Sequence, residues 1–105
     1  MMFGELIASR RKALGLSQKE LAARIRREDD GHISPQYLND LERNRRNPPS
    51  EYLLRQFAQA LDLPSEFLFY VVGQLPEDLR DQSDQPGEVV AAFRAFRKTL
   101  IGHEA

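Results

Sequence analysis

The stretch from Ser17 to Arg46, SQKELAARIRREDDGHISPQYLNDLERNRR, decides how the chain is read. It holds two short helical patterns, each opened by a serine. Ser17-Gln18-Lys19-Glu20 has capping-box spacing: the serine hydroxyl accepts from the N–H near Glu20, and Glu20 reaches back to the Ser17 N–H. Leu21, Ala22 and Ile25 form the inner stripe of that helix. Ser34-Pro35 is a second start signal, because serine suits the N-cap and proline the first helical position. Tyr37, Leu38 and Leu41 mark the inner side of the helix that follows, and Asn44 suits a left-handed C′ position. Between the two, Arg26 to His32 has no apolar residue, and Asp29-Asp30-Gly31 is turn chemistry. The first of the pair is expected to run on through Arg27 or Glu28 before that turn.

The flanks are helical too. Phe3 to Leu14 reads as a helix with Phe3, Leu6, Ile7, Ala13 and Leu14 on one face, ended by Gly15 at a position suited to φ > 0. Asn47-Pro48-Pro49 stops the Ser34 helix. Ser50 caps a fourth, with Leu53, Leu54, Phe57, Ala58 and Leu61 inward. Leu63-Pro64-Ser65 breaks the chain, and Phe67 to Val72 makes a short fifth helix ending at Gly73. Residues 82–87, QSDQPG, read as a linker, and Glu88 to Ile101 as an amphipathic helix with Val89, Phe93, Phe96 and Leu100 on one side. No strand-like alternation appears. The expected fold class is all-α: a helix-turn-helix domain over residues 1–81, the linker, and a C-terminal helix within 88–105 that is a candidate dimerisation element.

At 105 residues the chain can bury one modest core. It has no cysteine, which removes disulfides and thiolate metal sites and suits a reducing cytoplasm. Glu5 interrupts the N-terminal apolar residues and the basic residues follow rather than precede them, unlike a signal peptide. No apolar run approaches a membrane span, so a cytoplasmic location without membrane is expected. Net charge is −1, but residues 1–46 hold ten Lys/Arg against seven Asp/Glu and residues 47–105 five against nine. That asymmetry fits a basic binding face on an acidic body. His32 and His103 lack metal-ligand spacing, no cofactor is implied, and no nucleophile–base order or glycine-rich phosphate loop points to an enzyme.

Two tandem short helices, the second freshly capped, have the layout of a helix-turn-helix. In that motif the first helix braces on the DNA backbone and the second presents its N-terminal residues to base edges in the major groove. The candidate base-reading residues are Ser34, Gln36, Tyr37, Asn39 and Asp40. Amide side chains read adenine bidentately, and an acid accepts from cytosine N4. Gln18 and Lys19, at the start of the first helix, and Arg43, Arg45 and Arg46, where the chain leaves the second, are the candidate backbone contacts. Plainer readings stand beside these. Tyr37 is alternatively a core residue, and Asp40 alternatively pairs with a neighbouring arginine. The SRRK of the first helix is a solvated face, or brings Arg10 or Arg11 near DNA.

The blocks FGELIASRRKALGLSQKELA, SPQYLNDLERNRRNPPS and LLRQFAQALDLP, in that order, resemble the Cro/C1-type helix-turn-helix repressors, the Xre family of bacterial and phage transcription regulators. The resemblance covers Phe3 to about Leu79. It implies a five-helix, lambda-repressor-like domain and dimeric operator binding. It places Gln18 on phosphate, Ser34, Gln36, Tyr37 and Asp40 on base-facing positions, and Arg43 beside the backbone. The sequence departs from the family at the connection between the two helices, where RREDDGH makes the usual tight turn about six residues longer. A longer solvated loop adds little closure entropy. The helices are therefore expected to keep their angle, with Arg24, Arg26 and Arg27 available to the DNA backbone and Glu28, Asp29 and Asp30 turned away.

FLFYVVG is more apolar than one face of a small domain needs, and the last helix adds a second stripe. Phe69, Tyr70, Phe93, Phe96 and Leu100 are the candidate homodimer interface, with packing of the last helix onto its own chain as the alternative. The leading expectation is a sequence-specific regulator of double-stranded DNA, a dimeric repressor on an inverted-repeat operator. The alternative is a protein-interaction module, antitoxin-like or adaptor-like, that pairs with a toxin, a protease or another regulator through its apolar C-terminal surface.

Overall fold

A computed structural model describes residues 1–102. It contains six helices and no strand among the described residues: α1 (Phe3–Ala13), α2 (Gln18–Arg24), α3 (Pro35–Glu42), α4 (Glu51–Leu61), α5 (Ser65–Val72) and α6 (Pro86–Ile101). The fold class is all-α, as the periodicity implies. α1 packs against α3, α4 and α5, and α2 against α3 and α4. The core they enclose is built from Ile7, Leu21, Ile25, Leu38, Leu41, Leu54, Phe57, Leu61 and Leu68, all fully buried. Phe3 meets Phe57 edge-on, with centroids 6.0 Å apart.

The start signals work as read. Ser17 and Glu20 form the reciprocal capping box, Ser34 accepts from the Tyr37 N–H with Pro35 behind it, and Ser50 accepts from the Leu53 N–H. Gly15 (φ 72°) and Asn44 (φ 58°) take the left-handed conformation.

Several expectations are corrected. α1 ends at Ala13, and Ala13 and Leu14 are exposed. The left-handed Gly15 swings the chain so that Leu16 packs inward instead. α2 stops at Arg24 and does not reach Arg27 or Glu28. Ile25 is extended, because its carbonyl accepts the Ile33 N–H at 3.1 Å while its side chain is buried. The connection is a small hairpin closed by an antiparallel Arg26–His32 bridge, and Ile33 is a core residue. α5 begins at Ser65, two residues earlier than expected. α6 begins at Pro86, which fills the first-turn position, so Pro86 and Gly87 belong to the helix and not the linker. His103 lies outside the described residues.

Two charged side chains fix the frame. Arg10 donates to the Leu61 carbonyl at 2.8 Å, satisfying the C-terminal end of α4. Glu51, in the first turn of α4, accepts from the Glu77 N–H and from Arg80, each at 2.9 Å, and so ties the segment after α5 back to the bundle.

Candidate nucleic-acid interface

α3 is amphipathic by spacing. Leu38 and Leu41 face the core, while Gln36, Asp40 and Arg43 follow one another at i, i+4 and i+7 on the outer side. The outer side is pre-ordered. Gln36 donates to Asp40 at 3.1 Å. Asp40 also lies 3.8 Å from Arg46, whose guanidinium sits 5.2 Å over the Tyr37 ring. Tyr37 is half-buried against the core, and that burial raises its hydroxyl pKa above the usual value near 10.0 despite the nearby Arg46. Tyr37 thus combines the packing role with an accessible edge, and Asp40 makes the arginine pairing.

Asn39 and Gln18 are tied to each other across α2 and α3. The Asn39 side-chain oxygen accepts from Gln18 at 3.2 Å and from Arg43 at 3.3 Å. The same Gln18 amide donates to Glu42 at 3.0 Å, so both of its N–H bonds are engaged within the protein. Ser34 is likewise engaged as the N-cap. Lys19, Arg45 and Arg46 are exposed at the two ends of the motif. The structure thus links Gln18, Asn39 and Arg43 in one cluster and Gln36, Tyr37, Asp40 and Arg46 in another, with Gln36 the exposed amide of α3.

Beneath that face lies a network that the sequence reading missed. Arg11 is 9% exposed and grips Glu42 with two bonds, Nε to Oε2 at 2.7 Å and a terminal nitrogen to Oε1 at 3.0 Å. Its remaining nitrogen donates to the Leu16 carbonyl at 2.9 Å. The hydrogen bond to Glu42 outweighs burial and raises the Arg11 pKa further. The solvated-face reading of SRRK fails for Arg11, which is an internal strut, while the partly exposed Arg10 caps α4. A second tie runs from the Gly4 N–H to the Asn44 side-chain oxygen at 3.1 Å. Gly4 is pressed so close to α3 that a Cβ there would stand 2.6 Å from the Glu42 carbonyl and closer still to that of Leu41. α1 is thereby bolted at two points to the C-terminal end of α3. A visible signal existed. Phe3, Ile7 and Arg11 step at i+4, as do Leu38 and Glu42, so each charged residue occupies the next rung of an apolar ladder.

The candidate interaction surface at the other end is separate. Tyr70, Phe93, Phe96 and Leu100 are 57%, 52%, 51% and 56% exposed. Phe69, expected among them, is 2% exposed and belongs to the core, where it forms part of the floor of a groove of about 480 Å³ between α5, residues 74–79 and α6. α6 touches its own chain through an edge-on Tyr70–Phe96 contact at 6.2 Å, yet none of its residues is buried. No cluster of metal-ligating side chains occurs among the described residues, and no described helix is long and apolar enough to cross a membrane.

Comparison with known proteins bears on these surfaces. A family model described as helix-turn-helix matches residues 7–68. A crystal structure of SinR, the master regulator for biofilm formation, in complex with DNA is 31% identical over 65% of this chain and 98% of its own, with a TM-score of 0.54. A SinR/SinI protein complex is 26% identical over 94% of this chain and 91% of its own, with a TM-score of 0.53. Comparison with the curated proteins gives no match.

Proposed function

Because the chain belongs to the Cro/C1-type helix-turn-helix family, whose fold is that of DNA-binding transcriptional regulators, we propose that it is a dimeric repressor reading an inverted-repeat operator in double-stranded DNA through α3. The observation that carries this reading is the rigid mounting of α3. The Arg11–Glu42–Gln18–Asn39 network fixes it against α1 and α2, while Gln36 and the free edge of Tyr37 stay accessible. Gln36 is the principal base reader, with Tyr37, Asn39 and Asp40 shaping the contact. Ser34 acts mainly by fixing the N-terminus of α3. Lys19, Arg43, Arg45 and Arg46 hold phosphates. Gln18 serves by orienting α3 as much as by touching DNA. Residues 1–81 are the DNA-binding domain, and α6 after its short linker is the dimerisation element. The DNA complex of SinR supports the first assignment. The reading needs no cofactor and no catalytic step, and it places the protein in the cytoplasm with the chromosome.

A second reading is favoured by α6, which buries nothing of its own. The protein then acts through a protein partner docked on Tyr70, Phe93, Phe96 and Leu100. SinR is known in complex with another protein, SinI, as well as with DNA. The two readings separate in one experiment. Purified protein is used to select random duplexes at near-physiological salt. An enriched inverted repeat with half-sites about one helical turn apart supports the repressor. No enrichment transfers the function to the protein-interaction surface.

A further inference from the structure

The hairpin between α2 and α3 is built, not slack. Ile25 and Ile33 root it in the core. The Ile33 N–H donates to the Ile25 carbonyl at 3.1 Å and the Arg27 N–H to the Gly31 carbonyl at 2.7 Å, on either side of the bridged pair Arg26 and His32. A pair flanked by two such bonds, without any between its own members, is the arrangement that brings opposed side chains closest, on one face of the ribbon. The next residue, Arg27, points to the other face. There Asp29 binds its guanidinium and also accepts from the Gly31 N–H at 3.2 Å, so that face is neutral within itself.

The Arg26–His32 face is different. Arg26 makes one described hydrogen bond, to the Asp30 carbonyl at the long distance of 3.5 Å, and has no carboxylate partner among the described residues. The His32 Nδ1 lies 2.9 Å from the Ile33 carbonyl, which directs Nε2 away from that contact. A cation and an imidazole thus stand side by side, exposed, with no carboxylate bonded to either among the described residues. They stand eight residues and two residues before Ser34, respectively, fixed to the end of α3 that this motif turns toward the groove. Glu28 and Asp30 occupy the tip, which excludes the tip itself from contact with phosphate.

We propose that the hairpin is a second DNA-contacting element, in which Arg26, joined by the Nε2–H of His32 when that ring is doubly protonated, holds a backbone phosphate beside the groove that α3 enters. The proposal rests on α3 being the recognition helix. It narrows the basic set in this connection to Arg26, because the Arg27 charge is matched by Asp29.

The test is the salt dependence of binding by the full chain to a selected operator and to a random duplex. For Arg26→Gln the slope of log K against log salt falls by about one unit per bound protomer. Affinity falls by the same factor on both duplexes. Arg26→Lys keeps the slope, and Arg94→Gln on the distant α6 leaves it unchanged. Arg26 is exposed and the backbone bonds of the hairpin do not need its side chain, so the melting temperature is expected to match the wild type. An unchanged slope for a folded Arg26→Gln protein overturns the proposal, as does a loss confined to one duplex, which indicates base reading. Failure of the wild type to bind any duplex is a different result: it removes the reading of α3 itself, and the hairpin contact with it.

Discussion

Glu42 is a carboxylate on the inner side of α3, its side chain 6% exposed, and it binds an Arg11 side chain that is 11% exposed. A buried pair of this kind adds little over an apolar pair of equal volume, but removing one partner strands the other. Glu42→Ala is therefore expected to destabilise the fold by about 3 kcal/mol, measured as a drop in the denaturant midpoint. A loss within experimental error counts against the strut. The same change frees Gln18 and Arg11, so operator affinity should fall more than random-duplex affinity under conditions where the protein is still folded. Gly4→Ala acts on the same joint by overlap. With carbonyls of α3 in the way, one methyl group forces α1 off α3, an overpacking effect of roughly 1–3 kcal/mol. The caps at Ser17, Ser34 and Ser50 were legible in the sequence because each acts within four residues. The ladder spacing could show that Arg11 and Glu42 face inward, but not that Arg11 pairs with Glu42 or Gly4 with Asn44, because those partners lie 31 and 40 residues apart and only the packing of α1 on α3 brings them together.

At the scale of the element, α2 is only seven residues long, too short to persist without its cap and its packing. The Ser17 N–H, followed by the Ser17 hydroxyl, holds the Glu20 carboxyl below its usual value near 4.5. A depressed carboxylate stabilises fully above its unfolded pKa and loses that contribution as pH falls through the folded one. The start of α2 should therefore fray only below about pH 4.5. Amide exchange at Ser17 and Glu20 followed by NMR checks this, and fraying that begins near neutrality would contradict it. For α3 the expected outcome is a change of sequence preference. Gln36→Ala should lower operator affinity by about 1–3 kcal/mol and relax selection at one base pair of each half-site. Equal loss on every duplex would move Gln36 out of base reading. The ends of α3 were legible because Ser34-Pro35 and Asn44 are local signals. The end of α2 was not. It depends on Ile33, one apolar residue among polar neighbours, reaching the core and pulling Ile25 into a hairpin bond.

The whole molecule is longer than a compact chain of its size. Its Cα radius of gyration is 16.0 Å, with extents of 46 × 30 × 23 Å, against about 13 Å expected for 100 residues. The excess follows from α6, which meets the bundle at Tyr70 and leaves every residue exposed. An isolated 16-residue helix is marginal in water, and α6 packs on its own bundle only lightly, through the Tyr70–Phe96 contact. The spacing of Val89, Phe93, Phe96 and Leu100 alternates four, three and four residues, the seam of a two-helix coiled coil. In the proposed dimer a second copy would offer the same seam by two-fold symmetry and set two α3 helices on successive grooves. Replacing Phe93 and Phe96 together by serine should leave the thermal transition of the bundle nearly unchanged, because neither side chain belongs to the core. The dimer should be lost by light scattering. Operator binding should weaken roughly 100-fold or more as two linked half-site contacts become two separate ones, while binding to a single half-site stays the same. A dimer that survives the double change would place the interface elsewhere and leave the apolar side of α6 to a different protein. Loss of the bundle's own folding would instead show that α6 stabilises it in a way that its exposure does not suggest.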